Sequence, residues 1–486
     1  MTTALLGWAT STLLAAAEPD STVERDSRAA HPSSAAVTAL MTQLLGKGEL
    51  ARPAVIMLES PRANDMPSDV APIGAITLPE ALDMSRQRSD ELKAQDAAAH
   101  ASRWVARSTL GRYGPKLTAQ YQRGREHSYS SGETAQISPI PEPSHTRTDQ
   151  SVVLRQPLVD VAALAAYRRD DRLAEAESAK RSQTEVNVAF DVVTAYYQLV
   201  QFQLLVELGK EHNERMQSLL GYMTRRAEGG GASGADRERV RAMSLAVQRD
   251  LVDARSELAH AQMSFARLTG TLPSSLLVTQ DKFALFPPTA EQATQQMVES
   301  NPQLLALRKQ VEAAAFDRNS TRASMLPKVS LEVGDYRSTN ASGIPGTTHD
   351  RRAMLVVTLD VLNGGSEYAM SQAQAQQQEQ LRHQYDDTVR KARERLQTNY
   401  LNLTSIRAQM AIASEENKAN SQVAAAFDAQ LVASNRSLLD VLDTYQKLYQ
   451  NRINLVKLFV SERQATYQVL KDVGRIDAGD FDVLGP

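Results

Sequence analysis

The chain has 486 residues, of which 42% are hydrophobic and 5% aromatic, and it contains no cysteine. Its 54 basic and 57 acidic residues nearly balance, which gives no electrostatic reason to expect a nucleic-acid partner. The lack of cysteine excludes disulfides, thiol catalysis and cysteine-based metal sites within this sequence.

The N-terminus has the pattern of an export signal. Residues 5–14 are mostly apolar, and the alanine triplet at 15–17 offers a small-residue cleavage site, although no lysine or arginine precedes them. We therefore predict a signal peptide over residues 1–17. Residues 18–76 are rich in Ala, Ser and Pro, and we expect this N-terminal extension to be poorly ordered.

The remainder of the chain contains an internal repeat. We predict a first structural repeat over residues 77–288, a second over 289–476, and a C-terminal tail over 477–486. A leucine and a Pro-Lys pair lie 23 residues apart in both repeats, and Gly270 matches Gly474 at an offset of 204. Each repeat reads as a helix, a β-hairpin, a long helix, a tight tip and a returning helix.

Two predicted hairpins supply four strands per chain. Leu117, Ala119 and Tyr121 alternate with polar residues, and the same alternation follows the second Pro-Lys pair. Four strands cannot close a barrel, and an open sheet edge is not tolerated in lipid. Two copies would give 8 strands and three would give 12, so the pattern predicts an oligomeric barrel. An ordinary soluble hairpin sheet is the alternative interpretation of the strand pattern alone.

The second long helix is the strongest signal in the chain. The 108 residues from Ser366 to Val473 contain neither glycine nor proline, and apolar residues recur there with a period near 3.6. The part from Ser366 to Leu431 would form a rod of about 100 Å. Because Ser437 and Asp440 have the spacing of a helix cap, we predict a turn at 432–436 and a returning helix from Leu438.

This order of elements resembles the outer-membrane efflux family, the TolC-like channel-tunnels of Gram-negative bacteria. The resemblance covers about residues 78–476 and is carried by the Pro-Lys pairs, the junction Leu359 to Gly365 and the run Ser437 to Asp443. It implies a mainly α fold with a small β part and an internal duplication. In a homotrimer, long α-hairpins would form a helical tunnel through the periplasm, and four strands per chain would form a 12-strand transmembrane barrel.

The resemblance also implies a passive exit duct in the outer membrane. Its partners would be two further copies, a periplasmic adaptor, an inner-membrane transporter and outer-membrane lipid. Family members that serve drug pumps often carry a lipidated N-terminal cysteine, which this sequence lacks, so we favour type I protein (toxin) secretion over multidrug efflux. A soluble periplasmic α-hairpin scaffold or adaptor is the alternative from a different class.

Carried over by position, Asp440 and Asp443 would line the pore constriction, and Arg436 and Asp236 would form a gate latch. Related proteins often have a latch tyrosine where this chain has Leu431. Residues three apart share a helix face, so three copies would place six carboxylates at one level and favour cations. The alternative explanation for Asp440 and Asp443 is that acidic residues in the first turn of a helix complement the helix dipole.

The hairpin tips would meet the adaptor by the same resemblance, with ordinary turn chemistry as the alternative. The tip residues are Gly230, Gly231, Ala232, Ser233, Val432, Ala433, Ser434 and Asn435. Catalysis is not indicated, because the eight histidines form no metal-binding pair and Gly231 to Ala235 lacks the second glycine of a nucleophile elbow. We therefore expect no enzyme activity, no cofactor and no metal.

Overall fold

The computed structural model describes residues 54–59, 70–129, 140–141, 143–278, 286–361, 363–432 and 437–476. The predicted N-terminal signal and C-terminal tail lie outside these residues. The described helices are α1 Leu78–Arg88, α2 Asp90–Gly111, α3 Val161–Glu228, α4 Gly234–Thr269, α5 Ala290–Ser300, α6 Pro302–Ala323, α7 Ser366–Val432 and α8 Leu438–Val473. The strands are β1 Ala54–Met57, β2 Ala71–Thr77, β3 Lys116–His127, β4 Ser144–Val159, β5 Thr271–Val278, β6 Lys328–Thr339 and β7 Thr347–Thr358. The fold is mainly helical, as predicted.

Two helices dominate the described residues. The helix α3 has 68 residues and α7 has 67, so each is about 100 Å long. The Asp160 side chain caps the start of α3 by accepting from the Ala163 N–H. Both returning helices, α4 and α8, begin after a serine cap and end at a left-handed glycine. None of the described helices is apolar enough over a sufficient length to cross a lipid bilayer.

The shorter helix of each repeat differs from the prediction, because each is two helices. Ser89 separates α1 from α2, and its side chain accepts from the Leu92 N–H. Asn301 separates α5 from α6, and its side-chain oxygen accepts from the N–H groups of Gln303 and Leu304. Both residues are N-caps with non-helical backbone angles, so the chain bends at each of them. Pro302 then occupies the first helical position, which suits a residue without an N–H group.

The two predicted hairpins join into one antiparallel sheet of order β3-β4-β6-β7. The inner pair β4 and β6 connects the hairpins through a register that runs from Thr148 opposite Thr339 to Val159 opposite Val329. A bulge at residues 157–159 interrupts this register. The outer strands β3 and β7 each have a neighbour on one side only within the described residues.

A second sheet, of order β1-β5-β2, was not predicted. The strand β1 and all but the last residue of β2 belong to the extension 18–76, which we expected to be poorly ordered, and the central strand β5 follows α4. The strand β1 buries Ala54 and Ile56 and exposes Val55 and Met57. An alternation over only four residues is not distinctive in a segment rich in Ala, Ser and Pro. The composition of the segment therefore did not predict the strand β1.

Candidate functional site

The tip of the first hairpin is an exposed turn between α3 and α4. Gly230 has a φ of 73°, in the left-handed region that glycine adopts without strain. The Arg226 Nε donates to the Gly231 carbonyl at 2.9 Å, and its Nη1 donates to the Tyr222 hydroxyl at 3.0 Å. Arg226 therefore holds the turn in shape. The sequence alone does not indicate this role, because an arginine at a helix C-terminus is an ordinary feature.

Asp236, the predicted latch acid, lies in the first turn of α4 and takes part in its cap. The Ser233 hydroxyl donates to the Asp236 carboxylate at 2.8 Å and accepts from the Asp236 N–H at 3.1 Å. Arg239 lies 3.9 Å from the other carboxylate oxygen. In the single chain, this carboxylate thus has local partners.

Asp440 and Asp443, the predicted constriction acids, are both exposed in the first two turns of α8. Between them, Val441 and Leu442 are buried, so the two carboxylates lie on the face of α8 that points away from the core. The Asp443 carboxylate forms an ion pair with Lys447 at 2.7 Å, and both side chains are more than 60% exposed. The hydrogen bond to Asp443 raises the pKa of Lys447. Asp443 is therefore partly compensated within its own helix.

Ser437 caps the start of α8, at the position where the sequence predicted the returning helix to begin. Its hydroxyl accepts from the Leu439 N–H at 3.3 Å. The remaining predicted residues, Arg436, Ala433, Ser434 and Asn435, lie outside the described residues, as do the side chains of Leu431 and Val432. The contact between Arg436 and Asp236 therefore stays a prediction.

One hydrophobic cluster joins the tip-proximal parts of the two hairpins. It combines Met223 of α3 and Val240 of α4 with Val441, Leu442 and Tyr445 of α8. All five side chains are at most 7% exposed. The first turns of both returning helices therefore share one hydrophobic core. The residues of the hairpin tips lie next to helix ends that are packed against each other.

A buried polar network lies farther from the tips, between α3 and α8. The Glu211 carboxylate pairs with Arg452 at 2.8 Å, and the His212 ring stacks on Tyr449 with centroids 4.3 Å apart. Burial lowers the pKa of His212 to about 4, with the nearby Arg215 cation as a second cause. These residues were not predicted from the sequence, because nothing local distinguishes them from other polar positions on a helix. No group of three potential metal ligands occurs in the described part of the chain.

Comparisons with known proteins agree with this architecture. The family profile described as "Outer membrane efflux protein" matches residues 81–271 and 293–474. The alkaline protease secretion protein AprF of Pseudomonas aeruginosa is 23% identical over 380 residues, which cover 76% of this chain and 78% of AprF. The outer membrane efflux protein BepC of Brucella suis is 24% identical over 303 residues, covering 62% and 65%. The solved structure of the outer-membrane channel OprN superimposes with a TM-score of 0.71 at 16% identity, covering 82% of this chain and 89% of OprN.

Proposed function

Since the chain belongs to the outer membrane efflux protein family, we propose that it is a homotrimeric, passive exit duct of a tripartite export system. The duct crosses the outer membrane as a 12-strand barrel and extends into the periplasm as a helical tunnel. A periplasmic adaptor and an inner-membrane transporter drive export through it. The chain itself carries out no catalysis.

The observation that carries the proposal is the four-stranded sheet, whose outer strands β3 and β7 each lack a second neighbour among the described residues. Its strands alternate apolar and polar side chains, as the wall between lipid and water requires. The unpaired edges of β3 and β7 would expose backbone polar groups to lipid, at a cost of several kcal/mol per group. Pairing β7 of one copy with β3 of the next removes both edges, and three copies of four strands give 12.

Exposed apolar side chains on the tunnel helices also support contacts between copies. Leu245 and Val252 of α4 are 57% and 63% exposed, and Leu401 and Ile412 of α7 are 72% and 70% exposed. The members of each pair are seven and eleven residues apart, so they share one helix face. A neighbouring copy would cover these faces.

The proposal includes an internal duplication, with repeats at 77–288 and 289–476. In support, α1, α2, β3, β4, α3 and α4 follow one another in the same order as α5, α6, β6, β7, α7 and α8. The long helices differ by one residue in length, and the returning helices both have 36 residues.

The native mass of the protein, extracted in detergent from purified outer membranes, tests the trimer. Three copies of 53.3 kDa give about 160 kDa, less any cleaved signal. A trimer of this mass in the membrane fraction is the expected result. A monomer that stays in solution without detergent would instead favour a soluble periplasmic scaffold and contradict the duct.

We further propose type I protein secretion as the transport process. The similarity to AprF, whose name describes protease secretion, spans 76% of the chain, compared with 62% for BepC, whose name describes efflux. Complementation distinguishes the two processes. The gene is expressed in cells that lack their own duct and carry either a type I transporter with its adaptor or a drug pump with its adaptor. Restored protease in the medium without restored drug resistance is expected, and the reverse would favour multidrug efflux.

The hairpin ends complete the proposal. Asp440 and Asp443 form the pore constriction, Arg436 and Asp236 form the latch, and the two tips contact the adaptor. In support, Asp440 and Asp443 are exposed side by side on α8, and residues 229–233 form a turn at the end of the α3–α4 hairpin.

A further inference from the structure

The two faces of the four-stranded sheet differ in composition. In register-paired strands, opposite residues point to the same side. One face, here called the apolar face, begins near the helices with the row Leu117, Leu154, Val333 and Ala353. The other face carries the row Thr118, Val153, Gly334 and Arg352 and, next to it, the pair Arg155 and Glu332. In the barrel proposed above, on which this inference rests, the apolar face meets lipid.

Toward the hairpin turns, the apolar face becomes strongly basic. We use the name basic belt for four arginines on this face: Arg123, Arg125, Arg337 and Arg351. Asp335 is the one acid that the four described strands place on this face, and it pairs with Arg351 and His349 at 2.8 Å each. The belt thus carries a clear excess of positive charge.

Most of the belt cations have no protein partner. Arg123, Arg125 and Arg337 make no hydrogen bond or ion pair with the described part of the chain, and all three are exposed. On the opposite face, by contrast, Arg155 pairs with Glu332 at 2.9 Å and Arg147 pairs with Asp149 at 2.8 Å. Arg155 and Arg147 on the inner face are therefore compensated, whereas Arg123, Arg125 and Arg337 on the apolar face are available to another molecule.

The height of the belt matches the edge of a bilayer. Arg337 lies eight residues beyond Val329 on β6, which is about 27 Å along the strand. At a strand tilt of about 40°, this becomes roughly 20 Å along the membrane normal, close to the apolar band of about 25 Å. Tyr121 lies on the same face, is 61% exposed, and suits the aromatic girdle at that level. Arginine at the edge of the band carries little cost, whereas arginine at its centre destabilises a barrel.

A shallow groove gives the belt the form of a binding surface. The groove has a volume of about 500 Å³ and lies on the apolar face between β4, β6 and β7. Its lining includes Arg337, Arg351, His349, Gln150 and Thr347, all of which can donate hydrogen bonds. Arginine forms paired hydrogen bonds with phosphate oxygens in a geometry that lysine lacks.

We propose that the basic belt docks the phosphate groups of lipopolysaccharide in the outer leaflet of the outer membrane. The hairpin turns lie at the opposite end of the strands from the tunnel helices, so the belt faces the outer leaflet. Its charge complements the lipid phosphates, which lie just beyond the outer edge of the apolar band. The edge strands β3 and β7 carry three of the four arginines, so a trimer would place twelve arginines around the barrel, four from each copy.

The test uses the full-length trimer in detergent and two matched double variants. The belt variant combines Arg123→Gln with Arg337→Gln, and the control combines Arg155→Gln with Arg352→Gln on the inner face. The probes are purified bisphosphorylated lipid A and the same lipid without phosphates. Loss of two belt arginines should weaken lipid A binding by about thirtyfold, whereas the control should bind as the unsubstituted protein does. The dephosphorylated lipid should bind weakly to all three proteins.

Three results would overturn the lipopolysaccharide site. Equal binding by the belt variant and the control would remove the role of the belt, and equal binding of the dephosphorylated lipid would remove the role of phosphate. Equally tight, belt-dependent binding of phosphatidylglycerol vesicles would show a general anionic-lipid surface. The native mass of each protein is measured in parallel. A trimer that fails to bind lipid A overturns the belt proposal alone, whereas a monomer overturns the barrel itself.

Discussion

Two glycines show how a single residue fixes the end of a returning helix. Gly270 and Gly474 both have left-handed φ angles, of 76° and 91°. A Cβ on Gly474 would lie 2.6 Å from Pro302 Cδ and 2.9 Å from the Asn301 Cα. A Cβ on Gly270 would meet only the flexible end of Arg88. The backbone neighbours of Gly474 cannot move aside, so this glycine is the less replaceable of the two.

We predict that Gly474→Ala destabilises the protein by about 1–3 kcal/mol, because it adds left-handed strain to a backbone contact. Gly270→Ala should cost less, since Arg88 can change rotamer. The matched control is Gly221→Ala in the interior of α3, where the nearest atom to a new Cβ is 3.6 Å away. Thermal unfolding in detergent measures all three, and a Gly474→Ala midpoint equal to that of the control would contradict the prediction.

His212 predicts a dependence of stability on pH. Its pKa is about 4 in the folded chain, lowered by burial, compared with 6.5 when unperturbed. Between these values the unfolded chain binds more protons than the folded chain, so stability falls as pH decreases from 6.5 to about 4. The loss amounts to at most about 3 kcal/mol per chain. This histidine faces Arg215, Asp250 and the Tyr449 ring. Glu211, Tyr445 and Arg452 line the same cleft.

Replacement of His212 by glutamine removes the group that binds the proton. We expect His212→Gln to show a smaller loss of thermal stability between pH 7 and pH 4.5 than the unsubstituted chain does. His260→Gln, at an exposed position on α4, is the control and should lose as much thermal stability between pH 7 and pH 4.5 as the unsubstituted chain does. If the slope of His212→Gln matched that of the control, burial of the neutral ring would not be the cause of the acid sensitivity.

At the scale of elements, the strand β1 acts as a strap across the first hairpin. Glu59 lies two residues after the end of β1. Its backbone carbonyl accepts a hydrogen bond from the Gln262 side chain of α4, and its N–H donates one to the Gln203 side chain of α3. Its carboxylate lies 3.1 Å from Arg255 of α4 and 3.4 Å from Lys210 of α3. One residue of the N-terminal extension thus connects both helices.

Glu59→Gln should weaken the strap without removing its backbone bonds. Two partly exposed ion pairs contribute about 1 kcal/mol together, so hydrogen exchange of the β1 amides should accelerate by about fivefold. Exchange in the buried part of α3 should not change. Arg249→Gln, which removes an exposed ion pair with the adjacent Asp250 and a weaker attraction to Asp253, is the control. Unchanged β1 exchange in Glu59→Gln would mean that the backbone bonds alone hold the strap.

At the scale of the whole molecule, the proposed constriction would depend on three copies. Two acids from each of three chains would place six carboxylates around the pore, which favours cations and binds multivalent ones. We predict that Asp440→Asn combined with Asp443→Asn weakens both cation preference and block by multivalent cations.

Planar-bilayer recordings of selectivity and block measure this effect. Asp253→Asn is the matched control, since Asp253 is exposed on the returning helix of the other hairpin and has no ion pair among the described residues. Equal selectivity in the double variant and the control would assign the two acids to the helix dipole instead of the pore.

The sequence alone determined the features that local interactions govern. A helix satisfies its hydrogen bonds within its own segment, so the absence of glycine and proline from Ser366 to Val473 predicted α7 and α8 closely. Period-two alternation likewise predicted both hairpins, and residue spacing predicted that Asp440 and Asp443 lie on one exposed face.

Only the tertiary structure decided which distant segments meet. The pairing of β4 with β6, the sheet that β1 and β2 form around β5, and the contacts of Glu59 all join residues more than 100 positions apart. The stacking of His212 on Tyr449 has the same origin. A β-strand needs hydrogen-bond partners from another segment, and a buried charge needs a partner that its own helix does not supply. No local pattern specifies those partners, because packing of the whole chain selects them.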